Sequence, residues 1–270
     1  MSDADLAARI TRLAPETWPA IESWDYDGWV LRFARGYTKR ANSITPLAPG
    51  SRPVEEKIAA CEATYEARRI PAVFCLPSTA DIDALDQTLA ARGYRKLDKT
   101  SIRVMPRGAA PPAPESEPEI QPALTAGWLD IVAGWNGFSP AERAGFLAIA
   151  GGIRTPTAFA LLRRAGAPVA AGIAVLQDDL VCFHAIITAP EARRQGFGRT
   201  LMLGLLRWAQ SAGAGTAYLQ VVKSNAPAIR LYNELGFDRE LYRYHYRVAP
   251  KRGAVSPAPA GTSPASPTGR

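Results

Sequence analysis

Cysteine is scarce in this 270-residue chain: Cys61, Cys75 and Cys182 are its only three, an odd number without a C-x-x-C pair. That spacing excludes a disulfide framework and a cysteine-based zinc site, so no metal is expected and a reducing cytoplasm is the expected compartment. No apolar run approaches the roughly 18 residues that a membrane-spanning helix needs. The start, Met1-Ser-Asp-Ala-Asp, lacks a basic segment followed by an apolar one, so neither membrane association nor export is expected. Neither G-x-x-x-x-G-K-[ST] nor G-x-G-x-x-G occurs, which disfavours kinase and dehydrogenase chemistry.

What is present is an ordinary globular composition, 47% hydrophobic and 21% charged. Such a chain can build a core and is neither wholly disordered nor fibrous. A net charge of +7 favours polyanions, and arginine supplies most of it. An anionic cofactor satisfies that preference as well as nucleic acid does. No interleaved aromatic and basic stripe, zinc spacing or helix-turn-helix pattern supports nucleic acid, so that partner is disfavoured.

Proline-rich residues 107–122 read as a linker, and residues 249–270, dominated by Pro, Ala, Ser, Gly and Thr, as a disordered tail. They divide the chain into residues 1–106 and 123–248. The first part shows a β-rich run Trp29–Ala34, a turn at Arg35-Gly36 and a second run from Tyr37. A helix through about Arg69, a strand at Ala72–Leu76, a helix at Asp81–Arg92 and a closing strand to Met105 follow. The second part opens with helical segments around Leu129–Val132 and Pro140–Ile149. Next come three apolar strands, Ala158–Leu162, Val169–Leu176 and Leu180–Ile187. A helix at about Phe197–Ser211, a strand at Ala217–Val222, a helix at Ala226–Leu235 and a final strand pair close it. The fold class is α+β, a mixed sheet flanked by helices.

The densest chemical signal is Ile186-Ile-Thr-Ala-Pro-Glu-Ala-Arg193-Arg-Gln-Gly196-Phe-Gly198-Arg199, a strand entering a glycine loop that opens a helix. Unpaired N–H groups at such a junction, beside the positive end of the helix dipole, can hold phosphate oxygens. Downstream stands Asn225-Ala-Pro-Ala-Ile-Arg-Leu-Tyr232-Asn-Glu-Leu-Gly-Phe237. Together these residues resemble the GNAT superfamily of acyl-CoA-dependent N-acetyltransferases, whose loop reads [QR]-x-x-G-x-[GA] and whose next helix reads N-x-x-A-x-x-x-Y-x-x-x-G-F. The resemblance covers roughly residues 157–248. The first half shows a fainter likeness to bacterial GNAT proteins with a degenerate first repeat, a W-x-x-R-x-x-x-G-Y-x-x-R-A-N-S pattern standing here as Trp29, Arg32, Gly36, Tyr37, Arg40, Ala41, Asn42 and Ser43. A tandem GNAT-like fold is thus expected, with acetyl-CoA bound by the second half only.

The resemblance implies acetyl transfer to a primary amine of a small molecule or peptide by direct attack in a ternary complex. It places Ile186, Ile187, Thr188, Arg193, Arg194, Gln195, Gly196, Phe197, Gly198, Arg199 and Asn225 at the cofactor, and Tyr232 as donor to the leaving thiolate. The family's glutamate base falls at Cys182. Strand alternation puts Cys182, His184 and Ile186 on one face, and His184, with an ordinary pKa of roughly 6.5, is the nearest titratable substitute. Blander roles stand beside these: His184 as a structural histidine, Asn225 as a helix cap, Tyr232 as packing, Arg40 and Asn42 as organisers of the first half. The missing glutamate keeps a non-catalytic acyl-CoA sensor as the alternative.

Overall fold

The computed structural model describes residues 1–105, 108 and 111–250; residues 107, 109 and 110 of the expected linker, and the expected tail from 251, lie outside the described residues. The first half comprises α1 (Asp3–Thr17), β1 (Glu22–Tyr26), β2 (Trp29–Phe33), β3 (Ile44–Pro46), α2 (Val54–Ala67), β4 (Val73–Pro77), α3 (Asp83–Ala91) and β5 (Arg95–Met105). The second comprises β6 (Glu119–Gln121), α4 (Ala126–Asn136), α5 (Pro140–Ala150), β7 (Thr157–Arg164), β8 (Ala167–Gln177), β9 (Leu180–Thr188), α6 (Phe197–Ser211), β10 (Thr216–Val222), α7 (Ala226–Glu234) and β11 (Arg239–Val248). Local chemistry sets several boundaries. Ser2 with Asp5, and Ser139 with Glu142, form reciprocal capping boxes on α1 and α5, while Thr125 caps α4 and Gly137 ends it in the left-handed region.

Among the described residues, eleven strands join one sheet in the order β1-β2-β3-β4-β11-β5-β10-β9-β8-β7-β6. The last strand of each half therefore lies in the other. β11 pairs with β4, β5 pairs with β10, and β5 and β11 pair with each other, all antiparallel. Instead of the expected final strand pair, the second half ends in this single strand, irregular at two places and flanked on both sides by first-half strands. The end of the expected linker is also sheet, because β6 adds to β7 with Glu119 opposite Leu161.

Helix α6 covers one face of the second-half strands through Leu201, Met202, Leu205 and Leu206. Helices α4 and α5 cover the other with Trp128, Val132, Phe146 and Ile149, joined there by Trp18, Ala34 and Ala41 from the first half. Helix α1 lies over the centre, where Leu6, Ile10 and Leu13 meet Val73, Ile102, Leu180 and Tyr218. The two halves thus share their cores as well as their strands.

β2 pairs antiparallel with the next strand as expected, but the turn at Arg35-Gly36 only opens a longer connection, and β3 starts at Ile44 rather than Tyr37; a second, tighter hairpin joins β1 to β2 through Asp27-Gly28. Asn42 explains the difference. Its side-chain oxygen accepts from the N–H groups of Ala34 (2.7 Å) and Gly36 (3.0 Å), and its amide donates to the carbonyls of Tyr37 (2.7 Å) and Thr38 (2.9 Å). Backbone groups engaged in this way are withheld from a strand ladder.

Candidate active site

β9 and β10 run parallel but pair only from Leu180 opposite Thr216 to Phe183 opposite Leu219. Beyond that point β9 continues against β8 and β10 against β5, so a wedge opens between them. A bulge accompanies the divergence. Three steps on β9, from His184 to Ile187, oppose two on β8, and Ala185 takes φ 49. The bulge overturns the expected alternation: Cys182 stays with the α1 cluster, whereas Ile186 turns to the α6 face and would touch a Cβ on Gly172.

The glycine loop leaves the end of β9 and reaches α6 at Gly196, whose φ of +85 is a left-handed value that glycine adopts without strain. Among the described residues no main-chain acceptor takes the N–H groups of Arg193 through Gly198. Exposed Arg193, Arg194 and Arg199 form no ion pair among the described residues. A Cβ on Gly196 would meet nothing within 4 Å, while one on Gly198 would meet Thr188 Oγ1 at 3.3 Å and Leu231 at 3.4 Å. Strand end, loop and α7 are therefore brought together. Free N–H groups, a helix N-terminus and unpaired guanidinium groups are what a pyrophosphate requires. Phe197 is buried in the α6 cluster, and Gln195 donates to the Glu191 carbonyl at 3.3 Å.

On α7, the Asn225 side chain accepts from the Ala228 N–H at 3.2 Å and caps the helix. Tyr232 packs edge-on to Phe237 at 6.3 Å. Burial, with a smaller contribution from neighbouring Cys182, pushes its hydroxyl up to about 12, so it remains a donor at neutral pH.

Beside the wedge lies a cavity of about 620 Å³, walled by Trp18, Tyr37, Phe138, Phe146, Tyr244 and Tyr246 and reached by Ala185–Ile187 of β9. His184 sits at its base, 3% exposed, stacked on Trp18 at 5.1 Å. Arg40 donates to His184 Nδ1 at 3.2 Å. Because a guanidinium can only donate, Nδ1 is the acceptor and Nε2 carries the proton that faces Thr17 Oγ1 at 3.0 Å. The Thr17 hydroxyl in turn donates to Ala14 O at 2.9 Å. Burial, then the Arg40 charge, holds His184 well below its ordinary value. Both ring nitrogens are engaged and a protonated ring would face a fixed cation, an arrangement that speaks against the expected base role.

The rest of the first-half pattern explains how Arg40 gets there. Arg32, buried without a carboxylate, donates to three carbonyls: Arg40 (2.6 Å), Pro15 (2.9 Å) and Trp18 (2.7 Å). Burial lowers its pKa to about 10. It ties the end of α1 to the segment that carries Arg40. Tyr37 packs against Phe138 and Phe146 of the second half. Asn42 organises the first half as expected, whereas Arg40 reaches across to the second half.

Splayed parallel strands, a bulge at the divergence and an anion-ready loop opening the next helix define the GNAT class of N-acetyltransferase folds, here as a tandem arrangement. The chain belongs to the family described as "Probable histone acetyltransferase Rv0428c C-terminal", whose model matches residues 8–248. It is 30% identical over 246 residues to "Uncharacterized N-acetyltransferase YobR" of Bacillus subtilis (strain 168), covering 89% of this chain and 97% of that relative. A GCN5-related N-acetyltransferase from Kribbella flavida shares the fold with a TM-score of 0.67 at 17% identity, over 93% of this chain and 96% of the other. A tandem GNAT protein from the clavulanic acid biosynthesis pathway does so with a TM-score of 0.55 at 15% identity, over 78% and 76%. Among the described residues no helix is long and apolar enough to cross a membrane.

Proposed function

We infer that the protein transfers an acetyl group from acetyl-CoA to a primary amine held in the aromatic cavity, both substrates being bound at once. The observation that carries this reading is the junction of wedge and loop: unpaired loop N–H groups lie beside a stretch of β9 that has lost its β10 neighbour, and that stretch borders the cavity. Acetyl-CoA would supply the activated thioester. The loop N–H groups, with Arg193, Arg194 and Arg199, would hold its pyrophosphate, and the open space above Gly196 leaves room for it. Main-chain N–H groups of Ile186–Thr188 would orient the acyl carbonyl and steady the oxyanion that develops on it.

Tyr232 would give its proton to the departing sulfur, a role suited to a phenol that stays protonated. Lys39, Arg40 and Arg193 line the cavity against the single carboxylate of Asp98. Their field favours the neutral, nucleophilic form of the amine, whose proton would pass to water. The first half would be a degenerate repeat that does not bind the coenzyme; it contributes Trp18, Tyr37 and Arg40 to the cavity wall.

A sealed His184 and a cysteine at the family's glutamate position favour a second reading, a sensor that binds acyl-CoA without turnover. Thiol release followed with a chromogenic disulfide, with the full chain, acetyl-CoA and a panel of amines, separates the two. Amine-dependent release is expected. Tight acetyl-CoA binding with no release for any amine would establish the sensor.

A further inference from the structure

The cavity beside the wedge is cationic in an unusual way. Lys39 is matched by Asp98 at 2.9 Å, but Arg40 pairs with no carboxylate among the described residues. On the cavity side its partners are neutral, the His184 ring at 3.2 Å and the Tyr244 hydroxyl, and its Nε is buried with no acceptor. A desolvated guanidinium with an unmet donor is costly, and a nearby anion relieves that cost. The fold nonetheless invests in placing it. Arg32 grips the Arg40 carbonyl at 2.6 Å, Asn42 fixes the preceding loop, and His184 fixes the head group. Around it the walls are aromatic: Trp18, Tyr37, Phe146 and Tyr246.

We propose that Arg40 is the specificity determinant of the acceptor cavity, and that it selects amines that also carry an oxyanion, such as amino-acid-like zwitterions with an apolar side chain. This rests on the acetyl-transfer reading above and adds the substrate class. The amine nitrogen faces the wedge, the anionic group lies toward Arg40 and the apolar part lies against the rings. Polyamines, aminoglycosides and lysine-rich peptides are disfavoured, because they would bring a second cation to a cavity where Arg40 already stands unpaired.

The test uses matched ligand pairs, with the full chain throughout: phenylalanine against its amide and against phenethylamine, and leucine against its amide. A phosphonate analogue of phenylalanine separates carboxylate from other oxyanions. Binding is read calorimetrically and turnover by thiol release. The carboxylate member of each pair is expected to be preferred by about 10- to 100-fold, the contribution of one charge-assisted hydrogen bond. In Arg40→Met that preference disappears through a rise in KM, while the acetyl-CoA affinity is unchanged; Arg40→Lys retains part of it. The wild-type pairs decide the matter even if a variant folds poorly. Equal or better use of the amides, or no binding of any carboxylate up to about 10 mM, overturns the proposal. If acetyl-CoA still binds and basic amines turn over, the transfer reading survives that failure; if acetyl-CoA does not bind, it is the transfer reading that has failed.

Discussion

His184 gives a prediction whose size follows from its surroundings. Buried beside Arg40, the ring is held well below its ordinary value, whereas in the unfolded chain it titrates near 6.5. For a base whose folded pKa is depressed, the unfolded state binds the extra proton first. Stability is therefore intact above about pH 6.5 and is lost as pH falls. Full linkage gives about 1.4 kcal/mol per pH unit, which integrates to about 2 kcal/mol between pH 7 and pH 5. The perturbation is His184→Gln, whose amide can accept from Arg40 and donate to Thr17 without titrating. Urea unfolding midpoints measured every half pH unit should show the wild type losing more stability than the variant over that range, up to about 2 kcal/mol. His245, the other histidine, also lies below its ordinary value, mainly through burial, but it is common to both proteins and cancels in the difference. Parallel curves from pH 7 to pH 5 would mean that folded His184 protonates freely, and would refute the locked-ring geometry and the argument against a base role.

Replacing Arg32 by Met takes the donor from the part-buried carbonyls of Arg40 and Pro15 and from the buried carbonyl of Trp18; the expected loss is about 3 kcal/mol, read from the urea midpoint. Tyr232→Phe keeps the edge contact with Phe237 and removes only the proton donor. Its kcat should fall about 100-fold with the acetyl-CoA dissociation constant almost unmoved, and an unchanged kcat would assign the tyrosine to packing.

Much of the second half was legible because its signals are local. The helix at Phe197–Ser211 follows from a glycine N-terminus and apolar spacing, and the strand and helix after it from β-branched residues and the Asn225 cap. Helix α1 was missed although Ser2 and Asp5 spell a capping box that marked its start. The exchange of β5 and β11 had no local signature, since either strand's pattern suits either neighbour. The same holds for the site. The glycine loop is contiguous and could be read directly. The surroundings of His184 come from Thr17 and Arg40, 167 and 144 residues away, and no spacing rule reaches that far. A single bulge at Ala185 was enough to turn Ile186 from the face that alternation assigned to it. Asn42 shows the reverse lesson: one side chain engaging nearby backbone groups delayed to Ile44 the strand that was expected from Tyr37.

The central claim is that the loop at Gly196 is a working coenzyme site. Calorimetric titration of the full chain with acetyl-CoA and with desulfo-CoA, in the wild type and in Gly196→Trp, tests it most directly. A side chain at Gly196 enters open space and costs the fold about 1–2 kcal/mol for the left-handed backbone, so the variant remains folded while its loop is obstructed. The account predicts saturable wild-type binding of both ligands, abolished by the tryptophan. Absence of binding in the wild type, or equal binding by the variant, would contradict it.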